Sequence, residues 1–170
     1  MKILLLSVLL PLLPLVAIAE DVYLTKEDFL AASFSTPPAQ STYKPKAELQ
    51  KTVNKIMRRR FPMRPAPYWK KDKKTAWILE EIGKYKPITT GIVVNDGKIE
   101  SLQVLTYRET HGWEVRYPNF TDQFKNASLK ENNKLDTHID GISGATLSVK
   151  SLTRLGQLAL FYHKQVMNDG

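Results

Sequence analysis

Residues 140–148 read Asp140-Gly141-Ile142-Ser143-Gly144-Ala145-Thr146-Leu147-Ser148 and stand directly before the clearest helical pattern in the chain. Gly141, Gly144 and Ala145 leave the backbone bare of bulky side chains, while Ser143, Thr146 and Ser148 supply hydroxyls. A loop of this kind running into a helix start sets unpaired backbone N–H groups and the positive end of the helix dipole beside those hydroxyls. The combination suits an anion, a phosphate above all. The same residues also fit a purely structural use, a polar helix-start loop with Ser148 as N-cap. On the residues alone both readings stay open.

The same stretch of the chain holds two other constellations. Asp136, His138 and Asp140 are metal-ligand types at alternate positions. On a strand they would share a face but stand too far apart to converge, so only an irregular loop could bring them to one ion. Ser143 with His138 and Asp136 or Asp140 supplies the residue types of a hydrolytic triad. However, Gly141-Ile142-Ser143-Gly144-Ala145 is not Gly-x-Ser-x-Gly, and a triad is defined by geometry. Neither a metal ligand nor a catalytic residue is therefore assigned. His111 and His163 are expected at the surface.

The elements that must position these residues belong to a chain of 170 residues with 25 Lys+Arg, 17 Asp+Glu, a net charge of +8 and no cysteine. That length suits roughly one domain. The missing cysteine excludes disulfides, thiolate metal sites, a cysteine nucleophile and a lipidated N-terminal cysteine. Lys2, the apolar run 3–18 and the small-x-small triplet Ala17-Ile18-Ala19 read as a signal peptide cleaved after Ala19. The run is short for a membrane span and holds Pro11 and Pro14. The mature chain is expected in the periplasm or otherwise outside the cytoplasm. Positive charge gathers in segment 58–74, where Arg58, Arg59, Arg60, Arg64, Lys70, Lys71, Lys73 and Lys74 face Asp72 alone, interleaved with Phe61, Tyr68 and Trp69. In the cytoplasm this would suggest nucleic acid; export argues against it. An anionic membrane surface, an acidic protein partner or a solvated loop remain. Pro62, Pro65 and Pro67 make the segment extended rather than helical.

Thr25-Lys26-Glu27-Asp28 resembles a capping box opening a short helix to about Ser33. Residues 34–45, with Pro37, Pro38 and Pro45, read as a loop. Lys46 to Arg60 reads as a helix on the spacing of Leu49, Val53, Ile56 and Met57. Strands are expected at Thr75–Leu79, Ile88–Val94 and Ile99–Tyr107, the last two joined through Asp96-Gly97, a hairpin signal. Residues 108–140 read as mostly irregular. The terminal helix, Ser148 to Met167, carries Leu152, Leu155, Ala159, Tyr162 and Val166 on one face. Strands followed by a terminal helix indicate an α+β fold with a small antiparallel sheet.

The segment 140–148 resembles the flavinylation motif of the covalent FMN-binding domain family, as found in the C and G subunits of sodium-pumping and Rnf-type electron-transport complexes. Asp140, Ser143, Gly144, Ala145, Thr146 and Ser148 fill the motif's positions. Glu109-Thr110-His111-Gly112, after the hairpin, resembles the family's Glu-Thr-Pro-Gly loop with His111 in place of proline. Lys84-Tyr85-Lys86-Pro87-Ile88 resembles the entry into its first long strand. The likeness spans about residues 75–166. It implies FMN esterified through its phosphate to Thr146 by a flavin transferase that uses FAD and a divalent metal. Asp140 and Ser148 would belong to the sequence that the transferase recognises. It also implies that Ser143, Gly144, Ala145, Glu109, Thr110 and Gly112 line the cofactor, with Trp113 or Trp77 as possible ring-stacking partners.

The expected organisation is thus a signal peptide (1–19), a helical extension with a basic proline-rich loop (20–74) and an FMN-binding domain (75–170). The chain would relay electrons between membrane or periplasmic redox proteins, acidic ones fitting its charge, rather than turn over a substrate of its own. The alternative is a non-enzymatic exported binding module that uses segment 58–74.

Overall fold

The computed structural model describes residues 22–169. The apolar N-terminal run and the expected cleavage site after Ala19 lie outside them. Five strands form one antiparallel sheet in chain order: β1 (Gln40–Tyr43), β2 (Ala66–Lys71), β3 (Lys74–Ile82), β4 (Pro87–Asn95) and β5 (Lys98–Tyr107). Among the described residues there are four α-helices: α1 (Lys26–Ser33), α2 (Gln50–Met57), α3 (Pro118–Thr121) and the long α4 (Thr146–Asn168). The fold is α+β, as the strand and helix patterns indicate.

Local chemistry sets the elements that the sequence made plain. Thr25 caps α1 by accepting from the Asp28 amide at 3.1 Å. Asp96 and Gly97 turn β4 into β5 with φ of 49° and 76°. Two successive positive φ values make the turn whose twist suits a hairpin, which is why an Asp-Gly pair sits there. Along β3 the side chains alternate between two cores: Trp77 and Leu79 point one way, Ala76 and Ile78 the other. On the first face α4 lays down Leu152, Leu155, Leu158, Ala159 and Tyr162, joined by Val53, Ile56 and Met57 of α2. On the second face α1 covers Trp69, Ala76, Val93 and Leu105 with Phe29 and Leu30.

Three expectations are corrected here. The proline-bearing stretch 34–45 is not all loop, because Gln40–Tyr43 forms the edge strand β1, paired with β2 from Gln40↔Trp69 to Tyr43↔Ala66. Its first three residues are exposed, so no apolar alternation betrayed it. The helix expected over 46–60 is a 3₁₀ turn at Ala47–Leu49 followed by α2, which stops at Met57. Arg58 there takes φ 55°, and the turned chain delivers Arg59 to the buried Glu81, with Nη2 and Nε donating at 2.8 and 3.1 Å. Finally, segment 58–74 is not simply an extended loop: Ala66–Lys71 is an inner strand and Asp72-Lys73 a two-residue turn. Pro62 and Pro65 only lead into it, and Pro67 lies within it, opposite Thr42 of the short β1.

His163 is likewise not a surface residue. It lies on the inward face of α4, 4% exposed, with Nδ1 2.8 Å from Thr75 Oγ1 and Nε2 accepting from the Gly97 amide at 3.3 Å. An acceptor at Nε2 fixes the neutral ring with its proton on Nδ1. Burial lowers its pKa from 6.5 to about 4, helped by the charge of Lys70 and opposed by Asp96. The unfolded chain binds more protons than the folded one between those values. Stability is therefore fully present above about pH 6.5 and lost progressively as pH falls toward 4. The expected loss is about 2–3 kcal/mol across that window. Urea midpoints against pH measure it, and a His163→Asn variant is expected to flatten the curve; an equally steep curve would count against this.

Candidate functional site

Thr146 is the first residue of α4, and Ala145 is its N-cap, with no side chain capping the start. The first intrahelical bond runs from the Val149 amide to the Ala145 carbonyl at 3.0 Å. The amides of Thr146, Leu147 and Ser148 precede it and have no acceptor within the helix. Ser148 is thus not the N-cap that the sequence suggested. It is buried, and its hydroxyl lies 3.1 Å from that of Tyr107. Tyr107 in turn donates to the His111 carbonyl at 2.6 Å. With the tyrosine proton spent on that carbonyl, Ser148 is the donor to Tyr107.

One phenol therefore ties the helix start to the loop 109–112. That loop arrives at closest range through Gly112, where φ is +81° and a Cβ would lie 2.8 Å from the Cβ of Ala145 and 3.0 Å from Tyr107 Oη. No other residue permits that approach without displacement. Tyr107→Phe removes both bonds and leaves a buried serine hydroxyl and a carbonyl without their partner. A loss of about 1–3 kcal/mol is expected, read from urea unfolding; wild-type stability would refute the tie.

Glu109 holds the other side of the cleft. Its Oε1 accepts from the amides of Lys84, Tyr85 and Lys86, at 2.5, 2.6 and 3.0 Å. Burial pushes this carboxyl up, but the three amides and the Lys86 charge outweigh it, so its pKa lies below the ordinary carboxylate value. The carboxylate thus shapes the β3–β4 turn as well as facing the cleft.

The cleft has a volume of about 570 Å³ and is lined by Lys84, Tyr85, residues 109–114 and residues 143–148. It brings together Ser143, Gly144, Ala145, Thr146, Ser148, Glu109, Thr110, Gly112 and Trp113 of the sequence reading. Asp140 is outside it: its side chain faces solvent, and its amide donates to Gln123 Oε1 at 2.7 Å. Trp77 is also outside, buried in the core and stacked on Tyr68 at 4.9 Å, so it is no ring partner for a ligand here. Sequence reasoning quoted Tyr85 but gave it no part in the site; a large aromatic between two lysines in a turn was the available signal. A second cleft of similar volume, around His163, Lys73 and Asp96, holds none of the motif residues. Asp136 accepts from Ser128 N and Oγ at 2.8 and 2.7 Å, and His138 lies 3.5 Å from Asp140. Among the described residues no three potential metal ligands converge.

A cleft of this size is ordinary for a cofactor. Its mouth carries Tyr85, Trp113 and Leu147, all exposed, and its floor is backbone-rich where Gly112 meets Ala145. One end is the open start of α4, suited to a phosphate. Residues 83–160 match the model of the FMN-binding domain family. The match covers 78 of the chain's 170 residues. All the lining residues of the cleft fall within the matched span, which takes in the β3–β4 turn, the β4–β5 hairpin, the irregular stretch behind it and most of α4. Strands β1, β2 and β3 all precede the match yet share its sheet. No curated protein matches the chain in sequence.

Proposed function

We propose that this chain is an exported flavoprotein electron carrier with FMN held covalently through its phosphate on Thr146. The observation that carries the reading is the position of that hydroxyl: exposed, first in α4, and in one cleft with the loop 109–113. In the attachment step the Thr146 oxygen takes the FMN phosphoryl group from FAD. The P–O–P bond breaks, AMP leaves, and the hydroxyl proton passes to the transferase or solvent. The enzyme needed is a flavin transferase with a divalent metal. Ser143, Gly144 and Thr146 stand exposed for it.

The free amides of residues 146–148 would be available to a phosphodiester on Thr146, and the helix dipole would offset its charge. Glu109, Thr110, Gly112 and Trp113 line the space for the ring. Asp140, pointing outward, is available to the transferase, whereas Ser148 acts from within by holding Tyr107. The flavin supplies one- and two-electron chemistry when bound. The tether keeps it from diffusing away outside the cytoplasm, and the partners are membrane or periplasmic redox proteins. The reading is tested by expressing the full chain with and without a flavin transferase and viewing denaturing gels under ultraviolet light. A band fluorescent only with the transferase supports it; dark bands in both, with the transferase active on a control substrate, reject it.

A further inference from the structure

Segment 58–74 is one run in sequence but two patches in space. Lys70, Lys71, Lys73 and Lys74 lie at the far end of the sheet, where Lys73 pairs with Asp96, Lys74 with Glu100, and Lys70 reaches the Val166 carbonyl. The arginines lie at the end that holds the cleft. Arg59 is spent on Glu81, while Arg58, Arg60 and Arg64 are exposed; Arg64 shares a third cleft, separate from the one around His163, with Phe61, Pro62 and Ile82. Ile82 leads directly into the turn of Lys84, Tyr85 and Lys86, all exposed.

The exposed apolar groups follow the same division. All seven exposed large hydrophobic side chains among the described residues gather around this end. Tyr85, Trp113 and Leu147 rim the flavin cleft, Ile82 adjoins it, and Tyr117 packs edge-on to Trp113 at 5.5 Å. Val22 and Tyr23 complete the set: Arg116 lies over Tyr23 at 3.9 Å and also over Trp113 and Tyr117, and Val22 bridges to Thr106 near the end of β5. The acids of this end among the described residues are few: Glu81 is held by Arg59, Glu80 is 3.7 Å from Arg108, Glu109 is bound to the turn, and Glu114 and Asp140 remain.

We infer that this face docks on an anionic lipid bilayer. Aromatic and aliphatic tips spread along a rim, with lysine and arginine between them, are the pattern of a membrane-interface contact. Exposed cations there are each drawn to anionic headgroups. The inference goes beyond the flavin reading and does not need the flavin. Where the cofactor is in place, docking turns the cleft mouth toward membrane-held redox partners.

The mature chain from residue 20, loaded and unloaded, is floated with vesicles of phosphatidylcholine or of equimolar phosphatidylcholine and phosphatidylglycerol. Both forms are expected to float with the anionic vesicles only. Trp69 and Trp77 are buried, so a blue shift of tryptophan emission from the unloaded chain reports Trp113. Arg60→Gln with Arg64→Gln is expected to weaken partitioning about 25-fold, and Trp113→Ala to abolish the blue shift. Lys71→Gln with Lys73→Gln, at the far end, is expected to cost much less. No flotation on either vesicle, which would leave the face to an acidic protein, overturns the inference. So does equal flotation on both, or a loss caused by the far-end pair and not by the arginine pair. Since flotation reads polypeptide and not flavin, its failure is distinct from failure of the covalent attachment.

Discussion

In the Thr146→Ala variant, co-expressed with a flavin transferase, the band in a denaturing gel is expected to be dark while the wild type glows. The label depends on one oxygen. A phosphodiester needs a hydroxyl, and Ser143, although exposed in the same cleft, precedes the helix start that Thr146 occupies. The fold is expected to survive, because the Thr146 side chain is exposed and alanine is at home in a helix. A stability change within about 0.5 kcal/mol is expected. Thr146→Ser is expected to retain label. A fluorescent Thr146→Ala band would move the attachment elsewhere, and an unfolded variant would be visible by circular dichroism and distinguishable from loss of the acceptor.

Gly112→Val is the substitution expected to damage the site most through packing. A β-branched residue at φ +81° is strained by about 1–3 kcal/mol. Its Cβ would also press on Ala145 and Tyr107, for about 1–3 kcal/mol more. A loss of roughly 2–6 kcal/mol is therefore expected in urea unfolding, with weaker flavin labelling because the helix start carrying Thr146 is pushed aside. Adding Ala145→Gly removes the opposing methyl and is expected to recover part of the loss, the share due to contact. Full stability in Gly112→Val, or no recovery in the double variant, would show that the two loops do not meet as described.

What the sequence made legible was what local spacing encodes. The β4–β5 hairpin was written in alternating Ile and Val around Asp96-Gly97, and α4 in Leu152, Leu155, Ala159, Tyr162 and Val166. The cleft was legible as two short loops, 109–112 and 143–148, because small residues and hydroxyls at fixed spacing are themselves the chemistry. Strands β1 and β2 were hidden: Gln40, Ser41 and Thr42 are exposed, and the prolines and charges around Trp69 resemble those of a linker. Side-chain destinations that depend on distant partners were also hidden. Trp77, Ser148 and His163 could be placed only once Tyr68, Tyr107 and Thr75 were seen beside them. The grouping of segment 58–74 by charge concealed that its arginines and lysines lie at opposite ends of the sheet.

The most direct measurement is the intact mass of the chain purified from its own cells. The account predicts the mature polypeptide plus one esterified FMN, with the added mass mapping to the peptide that contains Thr146. An unmodified mass from cells whose transferase demonstrably labels another protein would contradict it.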